Sequence, residues 1–250
     1  MIELDLSAAS RVGCVRSHNE DMILVGEQLI RNNIYNTQAI LGKDDRFMMA
    51  VADGMGGHKS GEVASEETLR NLQFYFGDIP VGLDASTLNE VVVEWLDSIN
   101  AIIDSKGREE ERFKGMGTTL VALAYYDGDF YSLNCGDSRL YRFRDDELQQ
   151  LTTDHSLNNL MGEEKHSNVI TNCIGGGCIN SFVDMVQMTY DICRNDVYLL
   201  CSDGLTDMVS NHHIARLLSA GADADELCNA AIDNGGFDNV SVLIIKVNNL

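Results

Sequence analysis

Five acidic loci stand where simple solvation does not explain them: Glu20/Asp21, Asp53, Asp137, Asp203 and Asp238. Asp53 closes the apolar run F-M-M-A-V-A and opens A-D-G-M-G-G-H, which spends three glycines in four residues; Asp203 closes V-Y-L-L-C-S and is also followed by Gly. Runs of that kind form central strands buried on both faces. A carboxylate at the end of such a strand loses hydration and needs compensation. For either Asp alone, a helix cap or a turn competes evenly with a ligand role. The other three loci tip the balance. H-N-E-D opens a strand, N-C-G-D-S-R closes one, and G-G-F-D-N-V-S precedes the last one. Carboxylates gathered at one sheet edge repel each other unless cations intervene. Hard oxygen donors without paired His or Cys suit Mg²⁺ or Mn²⁺, with water completing the shell. A third Asp-Gly, at 127–128, lies between Y-Y and D-F-Y and reads as a hairpin turn with no chemistry.

The elements that must position these acids follow from periodicity. Strands are predicted over 2–6, 10–15, 21–26 and 46–52, with a polar stretch at 27–44. A helix follows the glycines, with Val63, Leu69, Leu72 and Phe76 on one face, and ends near Gly77 and Pro80. A second helix is predicted over about 84–106, with Val91, Trp95, Ile99 and Ile102 on its apolar face. Strands follow at 117–126, 129–136, 138–144 and 147–151. The Gly-rich 154–180 stretch reads as a loop or flap with a short helix. Strands near 182–189 and 196–202, helices near 211–219 and 223–233, and a strand at 240–247 complete the order. Tight turns between most strands imply antiparallel sheets. Two packed sheets with helices outside would bury both helix pairs, an α+β arrangement. Neither repeats nor a domain boundary are visible, so 1–250 reads as one domain.

Composition narrows the function. The chain has 250 residues, 44% of them apolar and 23% charged, as a globular protein has. The net charge of −21 disfavours nucleic acid or an anionic membrane as partner, since both are bound through Lys and Arg. No apolar run nears the roughly 18 residues of a membrane helix. The first residues, M-I-E-L-D-L-S, carry acids where a signal peptide carries bases, and a cytoplasmic protein is expected. The seven cysteines show no C-x-x-C and several sit in apolar runs, so they read as buried thiols of a reducing compartment rather than zinc ligands.

The motifs resemble those of metal-dependent serine/threonine protein phosphatases of type 2C, bacterial branch. They are V-R-S-H-N-E-D (15–21), V-A-D-G-M-G-G-H (51–58), G-M-G-T-T-L (115–120), C-G-D-S-R (135–139), C-S-D-G-L-T-D (201–207) and F-D-N-V-S (237–241). They span nearly the whole chain in family order. The resemblance implies a four-layer α/β/β/α sandwich of two antiparallel sheets flanked by helix pairs. It implies that Asp53 bridges two Mg²⁺ or Mn²⁺ ions, that Asp203 and Asp238 hold one, and that Glu20 and the Gly54 carbonyl hold the other. Asp137, with Asp203, matches a weaker third metal site. Arg16 matches the clamp on the substrate phosphate, and Asp21 and Asn239 match positions that support the ligands. The implied reaction is hydrolysis of phosphoserine or phosphothreonine by direct attack of a metal-bridging hydroxide. The implied partners are phosphorylated proteins, including a bacterial Ser/Thr kinase and its targets.

The chain departs from the family pattern in three places. Met55 stands where animal members carry a His able to protonate the leaving group. The flap looks short, and Asn172 stands where an Arg is common. His58 reads as a surface or helix-start residue, and Thr118 and Thr119 as β-branched strand residues. A nucleotide-binding loop is excluded, because His58 rather than Gly precedes Lys59-Ser60. The alternatives that remain are a non-catalytic phosphopeptide-binding relative and a stress-regulator phosphatase of the same family. The first is opposed by the intact acid set.

Overall fold

A computed structural model describes residues 1–56, 60–161 and 169–250. In chain order it contains β1 (Ile2–Arg11), β2 (Met22–Val25), β3 (Gln28–Ile30), β4 (Ile34–Leu41), β5 (Arg46–Ala52) and β6 (Gly54–Met55). The helices α1 (Ser60–Asp78) and α2 (Ala85–Glu109) follow, then β7 (Gly117–Thr118), β8 (Leu120–Tyr126), β9 (Asp129–Cys135), β10 (Arg139–Arg144) and β11 (Glu147–Gln150). The rest comprises α3 (Leu157–Met161), β12 (Ile174–Gly175), β13 (Asp184–Gln187), β14 (Val197–Cys201), α4 (Asp203–Thr206), α5 (Asn211–Ser219), α6 (Ala224–Asp233) and β15 (Val240–Asn249).

Two six-stranded antiparallel sheets form the centre, ordered β11-β10-β14-β15-β1-β4 and β13-β9-β8-β5-β2-β3. Period-two alternation sends each central strand's side chains to two different cores. On β5, Met49 and Val51 enter the core between the sheets, with Val121, Leu123, Tyr198, Leu200, Leu243 and Ile245. Met48, Ala50 and Ala52 face α1 and α2, where Leu69, Leu72, Phe76, Trp95 and Ile99 cover them. On the far side, Leu199, Val240 and Val242 meet Ile214, Leu218, Leu227 and Cys228 of α5 and α6. The four layers are therefore helix pair, sheet, sheet, helix pair. Each large side chain so buried contributes about 1.5–3 kcal/mol.

The helix ends are written locally. Asp84 accepts from the Thr87 N–H at 2.8 Å and starts α2. Asp223 and Glu226 form a reciprocal capping box on α6. The Asp127-Gly128 pair is a hairpin turn as read, with φ of 49° and 91°, linking Tyr126 and Asp129.

Several expectations are corrected. Residues 10–15 are not a separate strand; β1 ends at Arg11 and a loop follows. The polar 27–44 stretch holds β3 and β4, with β4 an edge strand whose exposed face mixes Ile34 and Ile40 with Asn36 and Gln38, so no clean alternation marked it. The expected strand 117–126 breaks at Thr119, and β7 leaves to build a third, small sheet, β12-β7-β6. On α2 the buried stripe is Leu88, Val92, Trp95, Leu96, Ile99 and Ile103; Ile102 is 42% exposed. Both isoleucines fit a helical period, so only packing against the sheet chooses between them. Of the expected flap, residues 162–168 lie outside the described residues; the described part holds α3, β12 and a bridge from Ser156 to Ile170.

Candidate active site

Strand register brings the acids to one edge of the sandwich. Met22 pairs with Ala52, so Asp21 and Asp53 sit side by side at the end of one sheet. Leu120 pairs with Cys135 in the same sheet, which delivers Asp137 to that end. In the other sheet, Cys201 pairs with Val242 and Arg11 with Val240, so Asp203 and Asp238 leave from neighbouring strands. A cleft of about 430 Å³ opens there, lined in part by Arg16, Glu20, Asp53, Gly54, Asp203 and Asp238. Asp21 and Asn239 lie buried beneath it. Asp137 is not part of the cleft lining, yet its charge acts on both Asp53 and Asp203.

The glycines of the two Asp-Gly pairs are required by backbone approach. A Cβ on Gly54 would lie 2.1 Å from the Gly61 carbonyl oxygen and 2.5 Å from that of Glu20. A Cβ on Gly204 would lie 1.9 Å from the Asn239 carbonyl oxygen. The room they leave is filled by other backbone: α1 packs onto Gly54, and the Asn239–Val240 segment onto Gly204.

The side chains under the cleft tie the two sheets together. Asn239 Oδ1 accepts from the Glu20 N–H at 2.8 Å, and Asn239 Nδ2 donates to the carbonyls of Val12 and His18. Ser202 Oγ donates to Asp21 Oδ2 at 2.8 Å and accepts from the Ser241 N–H. Ser10 and Asn19 extend this buried network. Thr119 Oγ1 accepts from the Asp53 N–H at 3.0 Å, and the Thr119 N–H and Thr118 Oγ1 both donate to the Asp53 carbonyl at 2.9 Å. Thr118 and Thr119 are therefore the clamp on the Asp53 backbone, not merely strand residues. Ser10, Asn19, Ser202 and Ser241 gave no signal in the sequence, because a lone Ser or Asn beside a strand is ordinary.

The electrostatics are those of carboxylates crowded together at one edge. Burial, then Asp21, Asp203, Asp137 and Asp238, holds the Asp53 carboxyl well above the usual range. Burial, then Asp137 and Asp207, pushes Asp203 up to about 8. Burial raises Asp21 and Asp137 each to about 6, and the Asp154 charge adds to the rise at Asp137. Glu20 Oε1, Asp21 Oδ1 and Asp203 Oδ1 are buried oxygens that no donor among the described residues reaches. Such orphaned acceptors fit a cation. Among the described residues no three His, Cys, Asp or Glu side chains close into a cage by themselves. Arg16, a cationic residue of the cleft, donates to Asp238 Oδ2 at 2.6 Å.

Met55 lines the cleft. Asn172 is buried and does not line it; its Nδ2 donates to the Phe182 carbonyl and to His155 Nδ1, tying the 154–180 stretch together. His58 lies outside the described residues.

The protein phosphatase 2C family profile matches residues 25–230. The protein phosphatase PhpP of Streptococcus pneumoniae is 33% identical, over 98% of both chains. The S. agalactiae serine/threonine phosphatase structure superposes with a TM-score of 0.83 at 28% identity, covering 98% of this chain and 100% of that one. The catalytic domain of the phosphatase PstP, solved in complex with two manganese ions, superposes with a TM-score of 0.75 at 31% identity over 100% of both chains. The chain belongs to the protein phosphatase 2C family, as one of its bacterial metal-dependent serine/threonine phosphatases. Among the described residues no helix is long and apolar enough to cross a membrane.

Proposed function

We propose that the cleft hydrolyses phosphoserine and phosphothreonine esters of proteins by direct attack of water on phosphorus, with no covalent phosphoenzyme. The observation that carries this is the pair of buried oxygens, Glu20 Oε1 and Asp203 Oδ1, orphaned in residues that line the cleft beside Asp53. Two divalent cations, when bound, supply an acidified water as nucleophile and positive charge against the phosphoryl oxygens. Asp53 would serve both ions, Asp203 and Asp238 one, and Glu20 with the Gly54 carbonyl the other. Asp137, with Asp203, would serve a third, weaker one. Mg²⁺ and Mn²⁺ both fit these oxygen donors.

Arg16 supplies the substrate clamp. Its planar fork pairs two phosphate oxygens, and the exchange releases Asp238. Asn239 and Asp21 hold the ligand-bearing segments in register. Met55 carries no titratable proton, so the departing Ser or Thr oxygen takes its proton from water. The substrates would be phosphoproteins of the cytoplasm, including a Ser/Thr kinase and its targets, and 1–250 would act as one catalytic domain.

The test is hydrolysis of a phosphothreonine peptide with Mn²⁺, with EDTA, and with the Asp53→Asn and Asp203→Asn variants. Metal-dependent turnover that falls by roughly 10²-fold or more in both variants is expected. Wild-type protein that binds the peptide yet turns nothing over with Mn²⁺ or Mg²⁺ would make it a phosphate reader instead.

A further inference from the structure

Cys173 and Cys178 meet on the wall of the cleft. Their Sγ atoms are 3.0 Å apart, about 1 Å beyond the bond length of a disulfide. The approach is imposed by the backbone rather than by the thiols. Gly175, Gly176 and Gly177 all take positive φ, of 72°, 63° and 83°, and turn the chain back on itself. The Cys178 N–H donates to the Gly175 carbonyl at 3.0 Å. Asn100 of α2 grips the turn at both ends: its Oδ1 accepts from the Gly175 N–H at 2.7 Å, and its Nδ2 donates to the Cys178 carbonyl at 3.2 Å. Ser181 Oγ donates to the Cys173 carbonyl and closes the loop.

The two thiols differ in exposure. Cys173 is 4% exposed, whereas Cys178 is half-buried, and both line the cleft with Asp53 and Arg16. The turn also touches the active-site segment: a Cβ on Gly176 would lie 3.1 Å from Cys173 Sγ and 3.8 Å from Met55 Sδ. A small oxidant entering the cleft meets Cys178 first, with Cys173 behind it as the resolving thiol. The competing reading, two small apolar fillers, does account for Cys173. It does not account for a half-buried partner held at sulfur contact by a three-glycine turn.

We propose that Cys173 and Cys178 are a redox modification site, oxidised by peroxide to a reversible disulfide that stiffens the cleft wall and lowers turnover. In the first step the Cys178 sulfur attacks the peroxide O–O bond, forming the S–OH group and releasing one water. In the second, the Cys173 sulfur attacks the Cys178 sulfur, the S–O bond breaks, and a second water leaves with the Cys173 proton. Two electrons pass from the sulfurs to one peroxide, and a dithiol reverses the change. The effect on turnover rests on the phosphatase reading of the cleft; formation of the bond does not.

The full chain, loaded with Mg²⁺, would be treated with hydrogen peroxide, quenched with an alkylating reagent and mapped by mass spectrometry. A loss of about 2 Da, located in a Cys173–Cys178 link that dithiothreitol removes, is expected. Turnover of a phosphothreonine peptide should fall roughly threefold or more and recover with the dithiol. Cys173→Ser and Cys178→Ser should each abolish the response to peroxide, read as the ratio of treated to untreated rate. Absence of the link, or a peroxide loss that persists in both variants, overturns the site. A link that leaves turnover unchanged overturns its regulatory role. An untreated protein without phosphatase turnover would count against the phosphatase reading alone, since the mass map still decides the thiol pair.

Discussion

Arg16 and Asp238 pair at 2.6 Å while remaining 49% and 37% exposed. An ion pair that open is worth at most about 1 kcal/mol, so exchanging it for a phosphate costs little. Hydrogen bonds to a charged group contribute about 1.5–3 kcal/mol, which corresponds to roughly 10–100-fold in kcat/KM. Arg16→Ala should therefore lower kcat/KM on a phosphothreonine peptide by about that factor. Arg16→Lys should recover only a small part, since an ammonium cannot span two phosphate oxygens. Steady-state kinetics decide this, and a variant within about twofold of wild type would reduce Arg16 to a partner of Asp238. The residue types here were legible in the chain: V-R-S-H-N-E-D places an Arg and two acids in one short loop. The pairing of Arg16 with Asp238 was not, because 222 residues separate them.

At the scale of elements, α2 shows where periodicity stops being informative. Ile102 and Ile103 are adjacent, and each lies three or four residues from another apolar side chain. The sheet beneath selects Ile103, which is fully buried, and leaves Ile102 at 42%. Ile103→Ala should cost about 2–5 kcal/mol of stability and Ile102→Ala no more than about 0.5 kcal/mol. Urea unfolding midpoints of the two variants measure the difference, and equal losses would place the apolar stripe as the sequence suggested. The break at Thr119 carries a similar lesson. All seven residues of β8, L-V-A-L-A-Y-Y, are aliphatic or aromatic and announce a strand, and so do the threonines before them. Only the contact with Asp53 shows that the strand must end there to hold a ligand-bearing backbone.

For the whole molecule, the charge of −21 is widely spread, but most acids at the sheet edge are wholly or partly buried and have a direct consequence for stability. Asp21 and Asp137 are raised from 3.8 to about 6 and Asp203 to about 8, in each case first by burial. A raised carboxyl favours the folded state while it is protonated. That contribution is complete below the ordinary value of 3.8 and is lost as pH climbs through about 6 to 8. Protein kept in EDTA should therefore lose thermal stability as pH rises across that window. Mn²⁺ or Mg²⁺ should raise Tm, and by more at the upper end of the window, because a cation binds the ionised form. Thermal unfolding from pH 5 to 8.5, with and without metal, tests this. A metal gain independent of pH would separate the cations from these carboxylates.

What the chain determined by itself was local: buried strands ending in Asp-Gly, amphipathic helices, a hairpin at Asp127-Gly128, and oxygen donors spaced along the family order. Apolar alternation, capping residues and turn glycines act over a few residues, so they can be read there. The tertiary structure decided what depends on register and close approach between distant segments. It set Asp21 beside Asp53 and slid the Glu20 loop under Asn239. It packed backbone against Gly54 and Gly204 until no Cβ fits, and it brought Cys173 to Cys178 on the cleft wall. Those relations are fixed by which faces of the two sheets meet, a choice made by packing over the whole core rather than by any single stretch of sequence.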